Sequence, residues 1–101
     1  MIKPTVGRVM WYRPSAGDML HMRQNSEQPF AAHVAYVWND HMVNLLVIDH
    51  VGRTHPVANV PIIQDGSPHT GRLPCAEWMP YQKGQAAKLG ALEATLKATV
   101  I

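Results

Sequence analysis

Up to Pro80 the chain is built from short extended runs of apolar residues broken by polar turns, and only beyond it does the period change. Residues 6–13 (VGRVMWYR) are rich in β-formers and are stopped by Pro14. Residues 15–29 (SAGDMLHMRQNSEQP) have turn chemistry and no period. They predict a long loop whose Met19, Leu20 and Met22 tuck in as a lid or pack on a partner. The clearest unit is residues 30–38 with 42–49, joined by Asn39 and Asp40. Both tolerate positive φ, so a tight hairpin turn is expected there. With Trp38 opposite His41, Val34 faces Leu45 and Tyr36 faces Val43. The other face pairs His33 with Leu46, Ala35 with Asn44, and Val37 with Met42.

Both faces of that hairpin are largely apolar. A strand pair buried on both sides belongs in a sandwich, in a barrel covered by other elements, or at an interface between copies. A monomeric barrel would alternate more cleanly, so self-association is expected.

A second turn is expected around Gly52, after which residues 54–63 (THPVANVPII) return with Pro56 and Pro61, which suit an edge strand. Residues 64–74 read as a polar loop and residues 75–81 (CAEWMPY) as a short strand or extended segment. From Gln85 onward, Ala86, Leu89, Leu92 and Leu96 are spaced by three, three and four and share one helical stripe. Glu93 and Lys97 form a favourable i,i+4 pair outside it, while Gly84 and Gly90 weaken the helix. The prediction is one mainly β domain over residues 1–101, a small antiparallel sandwich or barrel, with a C-terminal amphipathic helix over 85–98.

Composition narrows the function classes. The 101 residues are 47% apolar and 16% charged, a globular balance with room for one modest core. A net charge of +2 with dispersed arginines gives no footprint for duplex nucleic acid. Cys75 is the single cysteine, so no intrachain disulfide forms. No run of about 18 apolar residues occurs, and the expectation is a soluble, cytoplasmic chain without membrane contact.

The six histidines (21, 33, 41, 50, 55 and 69) share no metal-binding spacing, and a lone cysteine supplies no paired thiolates. No nucleophile motif, paired acids or phosphate-cradling glycine loop is present, and Cys75 after a proline reads better as a small semi-buried thiol. The expectation is therefore no enzyme, no catalytic residue, no metal and no cofactor. A binding module remains. Trp11, Tyr12, Tyr36, Trp38, Trp78 and Tyr81 offer flat π faces, and Arg8, Arg13, Arg53 and Arg72 offer forked donors. Ring stacking plus arginine contact to phosphate is a means of holding a nucleotide without turnover, although strand aromatics are more often core. Asn44, an amide amid apolar neighbours, must find partners. Either it bonds a neighbouring loop's backbone and fixes register, or it reads a ligand or reaches across a subunit interface.

Three segments, KPTVGRV, VWNDHMVNLLVID and AEWMPYQKGQAAK, cover about a third of the chain and follow one another in order. Together they resemble a group of short proteins of tailed phages. The shared pattern is a KPTVGR opening, an alanine-rich strand, a V-W-[ND/SD]-x-x-V-N-L-x-V hairpin, a turn with an arginine, and an E-W-M-P-Y-Q closing. The functional family they resemble is the first-described type of Thoeris anti-defence sponge protein. That resemblance implies a β-rich homo-oligomer, with a hexamer as one such assembly, that soaks up a cyclic ADP-ribose signal or cyclic oligonucleotide without cleaving it. It also implies a place of action in the cytoplasm of an infected bacterium.

Inside the matched segments lie Arg8, Trp38, Asn44, Trp78 and Tyr81, and Arg53 is the arginine of the shared turn that follows the hairpin; Arg72 is added on its chemistry. The expected roles are stacking by Trp38, Trp78 or Tyr81, phosphate contact by Arg8, Arg53 or Arg72, and base or ribose recognition by Asn44. The turn here reads DHVGRTHPVANVPI, where relatives tend to carry serine-valine after the arginine-threonine pair, so the resemblance leaves the ligand of this member open. Sequestration at nanomolar level needs about 12 kcal/mol, which pockets shared between subunits supply more readily than one small monomer. Two other readings fit the same residues: a phage structural or assembly accessory, and an SH3-like inhibitor of a host protein.

Overall fold

The computed structural model describes residues 1–64 and 73–100, the last four of these by their backbone. Strands β1 (Val9–Arg13), β2 (Phe30–Asn39), β3 (Met42–Ile48), β4 (Thr54–Pro61) and β5 (Cys75–Glu77) make one antiparallel sheet in the order β4-β3-β2-β1-β5. It curls into a half-barrel. Just past β4, Ile62 bridges Ala76 of β5, and the Ile63 N–H donates to the Ala76 carbonyl at 2.8 Å. Of the two expected architectures the sheet is thus barrel-like, a single curled layer, and the C-terminal helix α1 (Pro80–Val100) follows β5.

Curl follows from irregular pairing. Residues 31–34 of β2 meet β3 in the expected register, Val34 opposite Leu45. Beyond that the expected pairs fail: Tyr36 opposes Asn44, Val37 opposes Val43 and Asn39 opposes Met42. β2 carries an extra residue at Ala35 and again at Trp38, and such bulges bend and twist a strand. The turn therefore falls on Asp40 and His41, where the Asn39 side-chain oxygen accepts the His41 N–H at 2.8 Å. Asn39 and Asp40 do not take the positive φ expected of them; among the described non-glycine residues that conformation belongs to Asn59, at 56°. There β4 bulges in turn, two residues (Ala58 and Asn59) lying opposite Asn44 of β3.

The concave side holds the core. Met10 and Tyr12 of β1, Phe30, Ala32 and Val34 of β2, and Val43, Leu45 and Val47 of β3 point inward with period two. Val60, Ile62, Ala76 and Trp78 close it from the far edge. Each large side chain so buried contributes about 1.5–3 kcal/mol. Met22 also enters this core, whereas Met19 and Leu20, expected to tuck in with it, stay on the surface. They sit on a short 3-10 helix (Asp18–Leu20), within what the sequence suggested was plain loop.

Across the convex side run Trp11, Ala31 and Ile48 in one row and Val9, His33, Leu46 and Pro56 in the next. This is the second apolar face of the hairpin, and on it Ala31, His33 and Leu46 are exposed.

The first strand begins at Val9, not Val6, because Gly7 turns the chain with φ of 91°. Its N–H still reaches the Val34 carbonyl at 2.7 Å, so the opening segment lies along β2. At the other end Pro80 starts the helix instead of preceding it. The missing N–H and fixed φ of proline suit a first helical position. The helix thus begins five residues ahead of Gln85, and Tyr81 becomes a first-turn residue.

Candidate groove at the base of the helix

Where α1 leaves the half-barrel, an open groove of about 1030 Å³ runs between its first turns and the N-terminal segment. Two glutamines build it. Gln82 accepts the Met79 N–H at 2.8 Å, the reciprocal half of a capping box, and donates to the Val9 carbonyl at 2.7 Å. Those two bonds fasten the helix to β1. Gln64 accepts from the Ile2 N–H (3.1 Å) and from the Trp78 indole N–H (3.0 Å). It donates to the carbonyls of Ile2 (3.1 Å) and Asp40 (2.9 Å). One amide thus ties together the opening segment, the hairpin turn and the tryptophan beneath the groove.

Against this frame stand the groups free to meet a ligand. The Arg8 guanidinium lies 5.4 Å from the centroid of the Trp78 ring, a cation–π geometry. Trp78 itself is only 1 % exposed, so its ring serves as a fixed floor. Tyr81 and Lys83 stand exposed on the rim, and Ala86 and Leu89 give an apolar wall. Arg8 Nη1 also makes a long bond, at 3.4 Å, to the Lys3 carbonyl, and a guanidinium beside an aromatic ring is an arrangement that suits a phosphate next to a base.

The remaining expected site residues lie elsewhere. Trp38 and Asn44 are bonded to each other: the Asn44 oxygen accepts the Trp38 indole N–H at 2.9 Å and the Asn59 backbone N–H at 2.8 Å. Asn44 therefore ties the hairpin to the β4 bulge. Tyr36 (50 % exposed) and Trp38 (55 %) meet edge to face at 4.8 Å on the open surface.

Arg53 belongs to the β3–β4 turn, at the other end of β3. That turn is organised by Asp49, whose side chain is buried. It accepts backbone N–H groups from Arg23 (3.2 Å), Val51 (3.1 Å) and Arg53 (3.0 Å), and the His55 Nε2–H at 2.8 Å. Burial pulls its pKa upward, but the His55 bond and the three amides outweigh this and hold the carboxyl well below the usual range. Arg53 also borders a smaller cavity of about 320 Å³ with Met19, Leu20 and Arg23. Arg72 lies outside the described residues.

So the fold gathers Arg8, Trp78 and Tyr81, joins Trp38 to Asn44 apart from them, and leaves Arg53 at a third place. Sequence reasoning missed Gln64, Gln82 and Lys83. Gln82 had a signal, a glutamine two positions after a helix-opening proline; Gln64 had none.

Two further groups bear on chemistry. Burial pushes the Cys75 thiol up, with Glu77 adding to it and Arg13 opposing. Buried Tyr12 donates to Asp18, and burial followed by that bond raises its phenol far above the ordinary range. Among the described residues no three histidine, cysteine or acidic side chains gather to hold a metal ion, and no helix is long and apolar enough to cross a membrane. No protein-family model, curated protein or solved structure matches the chain.

Proposed function

We propose that this protein captures a small cyclic nucleotide-type signal, a cyclic ADP-ribose isomer or a cyclic oligonucleotide, and holds it intact. The site is the groove at the base of α1. The observation that carries the reading is the Arg8 guanidinium over the Trp78 ring, beside Tyr81 and Lys83. Arg8 and Lys83 meet the phosphates, Tyr81 stacks on an exposed base, and the Gln64–Trp78 frame keeps the floor rigid. With the resemblance to phage anti-defence sponges, the biological role is sequestration of a host immune messenger in the cytoplasm of an infected bacterium. The groove is open in one copy, and a homo-oligomer supplies the missing wall.

The test is incubation with authentic cyclic ADP-ribose isomers and cyclic oligonucleotides, then filtration, heat release and analysis of what is released. Recovery of unaltered nucleotide, with a ligand-dependent rise in melting temperature, is the expected result. A converted product, or no retention of any of these ligands, overturns it.

A second reading has its own observation. The exposed part of the convex face around Ala31, His33 and Leu46 suits docking on a larger protein, as a phage assembly accessory would need. Co-purification with virion parts and no nucleotide retention would favour it.

A further inference from the structure

Helix α1 is anomalous for a helix of its composition. It spans 21 residues, roughly 31 Å at 1.5 Å per residue, yet every described side chain from Lys83 to Leu96 is exposed. Leu89, Leu92 and Leu96 are 57, 55 and 54 % exposed, and Gly84 and Gly90 sit in its interior. A solitary helix of this length with two interior glycines is marginal in water, so its stripe calls for a covering surface.

The stripe itself says which one. Gln85, Leu89, Leu92 and Leu96 are spaced four, three and four, the a/d rhythm of a two-helix seam. Lys88 stands immediately before Leu89 and Glu93 immediately after Leu92, so the two charges flank opposite sides of the seam. In a parallel, in-register pair the residue before an a position lies beside the residue five further on in the other helix. Lys88 of each copy then faces Glu93 of the second copy, twice over. In an antiparallel pair like flanks meet, which sets lysine towards lysine and glutamate towards glutamate.

We infer that α1 pairs in parallel with α1 of a second copy of this chain through Leu89, Leu92 and Leu96, with Lys88–Glu93 contacts on both sides setting the direction. The inference rests on the groove reading for its consequence: parallel pairing brings both helix bases, and hence both grooves, to the same end of the dimer. Gln85, Leu89 and Glu93 border the groove as well as the seam, so the second copy's helix closes the groove along α1 and leaves its Arg8–Trp78 base as the open part.

The experiment combines sedimentation of the full chain over a range of concentrations with directed cross-linking. The chain is expected to sediment as a reversible dimer or a multiple of it. Gln85→Cys is expected to form a disulfide with itself under mild oxidation, because parallel pairing sets the two copies of position 85 side by side. Lys88→Glu and Glu93→Lys should each raise the dissociation constant by about tenfold, and the double exchange should restore it. Circular dichroism of the sheet shows whether each variant keeps its β body.

The inference is overturned by a monomer at every concentration, by failure of the double exchange to recover pairing, or by position 85 cross-linking to Leu96→Cys in preference to itself. The same samples carry the nucleotide retention assay. A monomer that retains nucleotide removes the seam and leaves capture standing; a parallel dimer that retains none does the reverse.

Discussion

The two ends of β3 use their polar groups in opposite ways. At the β3–β4 turn, Asp49 spends its oxygens on three backbone amides and His55, and the 15–29 loop is held there as well, its Arg23 carbonyl accepting the His50 N–H at 2.9 Å. At the hairpin end, Gln64 is as fully engaged, but the cations nearby are not: Arg8 rests on a ring and Lys83 stands in the open. A saturated polar cluster stabilises; a cation poised over a rigid floor is a place for something else to bind. The difference predicts that damage at the first end shows in stability and damage at the second in binding.

The largest effect is expected from Asp49→Ala, which leaves three turn amides and His55 without their acceptor and frees the docked loop. Chemical denaturation should show a greater loss than the substitutions at the β4 bulge do. Because the folded carboxyl is held below its ordinary value near 3.8, its stabilising contribution is full above that pH. It declines as the pH falls below the ordinary value and is gone once the folded group takes a proton. Asp49→Asn should flatten the acid limb of a stability–pH curve; an unchanged limb would show that another group sets it.

Next comes Trp78→Ala, which empties a buried indole site and should cost about 3–5 kcal/mol. It is also the change that joins the two ends of the comparison, since the same ring is core and groove floor. Trp78→Phe sharpens it. A ring remains under Arg8 but the bond to Gln64 is lost, for about 1 kcal/mol by thermal melt, with nucleotide retention largely kept.

Smaller again are changes at the β4 bulge. Asn59→Val puts a β-branched residue at a φ of 56° and should cost about 1–2 kcal/mol. Asn44→Ala removes the acceptor for the Asn59 amide and the Trp38 indole, for about 1 kcal/mol. Neither should alter nucleotide retention, because the bulge borders no part of the groove. Loss of retention in Asn44→Ala with the fold intact would return this amide to the ligand.

What the sequence disclosed follows from how local each signal is. The hairpin was legible because two β-forming runs flank Asn39 and Asp40, and the register set by placing the turn there held over residues 31–34. It failed past Ala35, because a run apolar on both faces gives no cue when one residue slips out of step. The leucine stripe of α1 was visible in its spacing, while Pro80 was read as part of an extended segment over residues 75–81 although it stands where helices often begin. The Asp49 cluster depends on the 15–29 loop folding back across the turn, and no short window contains that. Arg8 and Trp78 are seventy positions apart in the chain and meet only because β5 pairs with β1. Their residue types were suggestive; their meeting is a product of topology.

The least destabilising change is expected to be the most telling. Arg8 is exposed and contributes one cation–π contact and a long bond, at 3.4 Å, to the Lys3 carbonyl. Arg8→Ala should therefore cost no more than about 0.5–1 kcal/mol of stability. Loss of a charged, forked donor to phosphate should lower nucleotide affinity at least tenfold, which retention after filtration reads directly. Arg8→Lys restores the charge but not the flat edge and should recover affinity only in part, because an ammonium neither stacks on Trp78 nor bonds in a fork. Full recovery by lysine would make Arg8 a point charge and move recognition to Lys83 and Tyr81. Unchanged affinity in Arg8→Ala would empty the groove of its purpose, and the contrast between the two ends of β3 would then be one of packing alone.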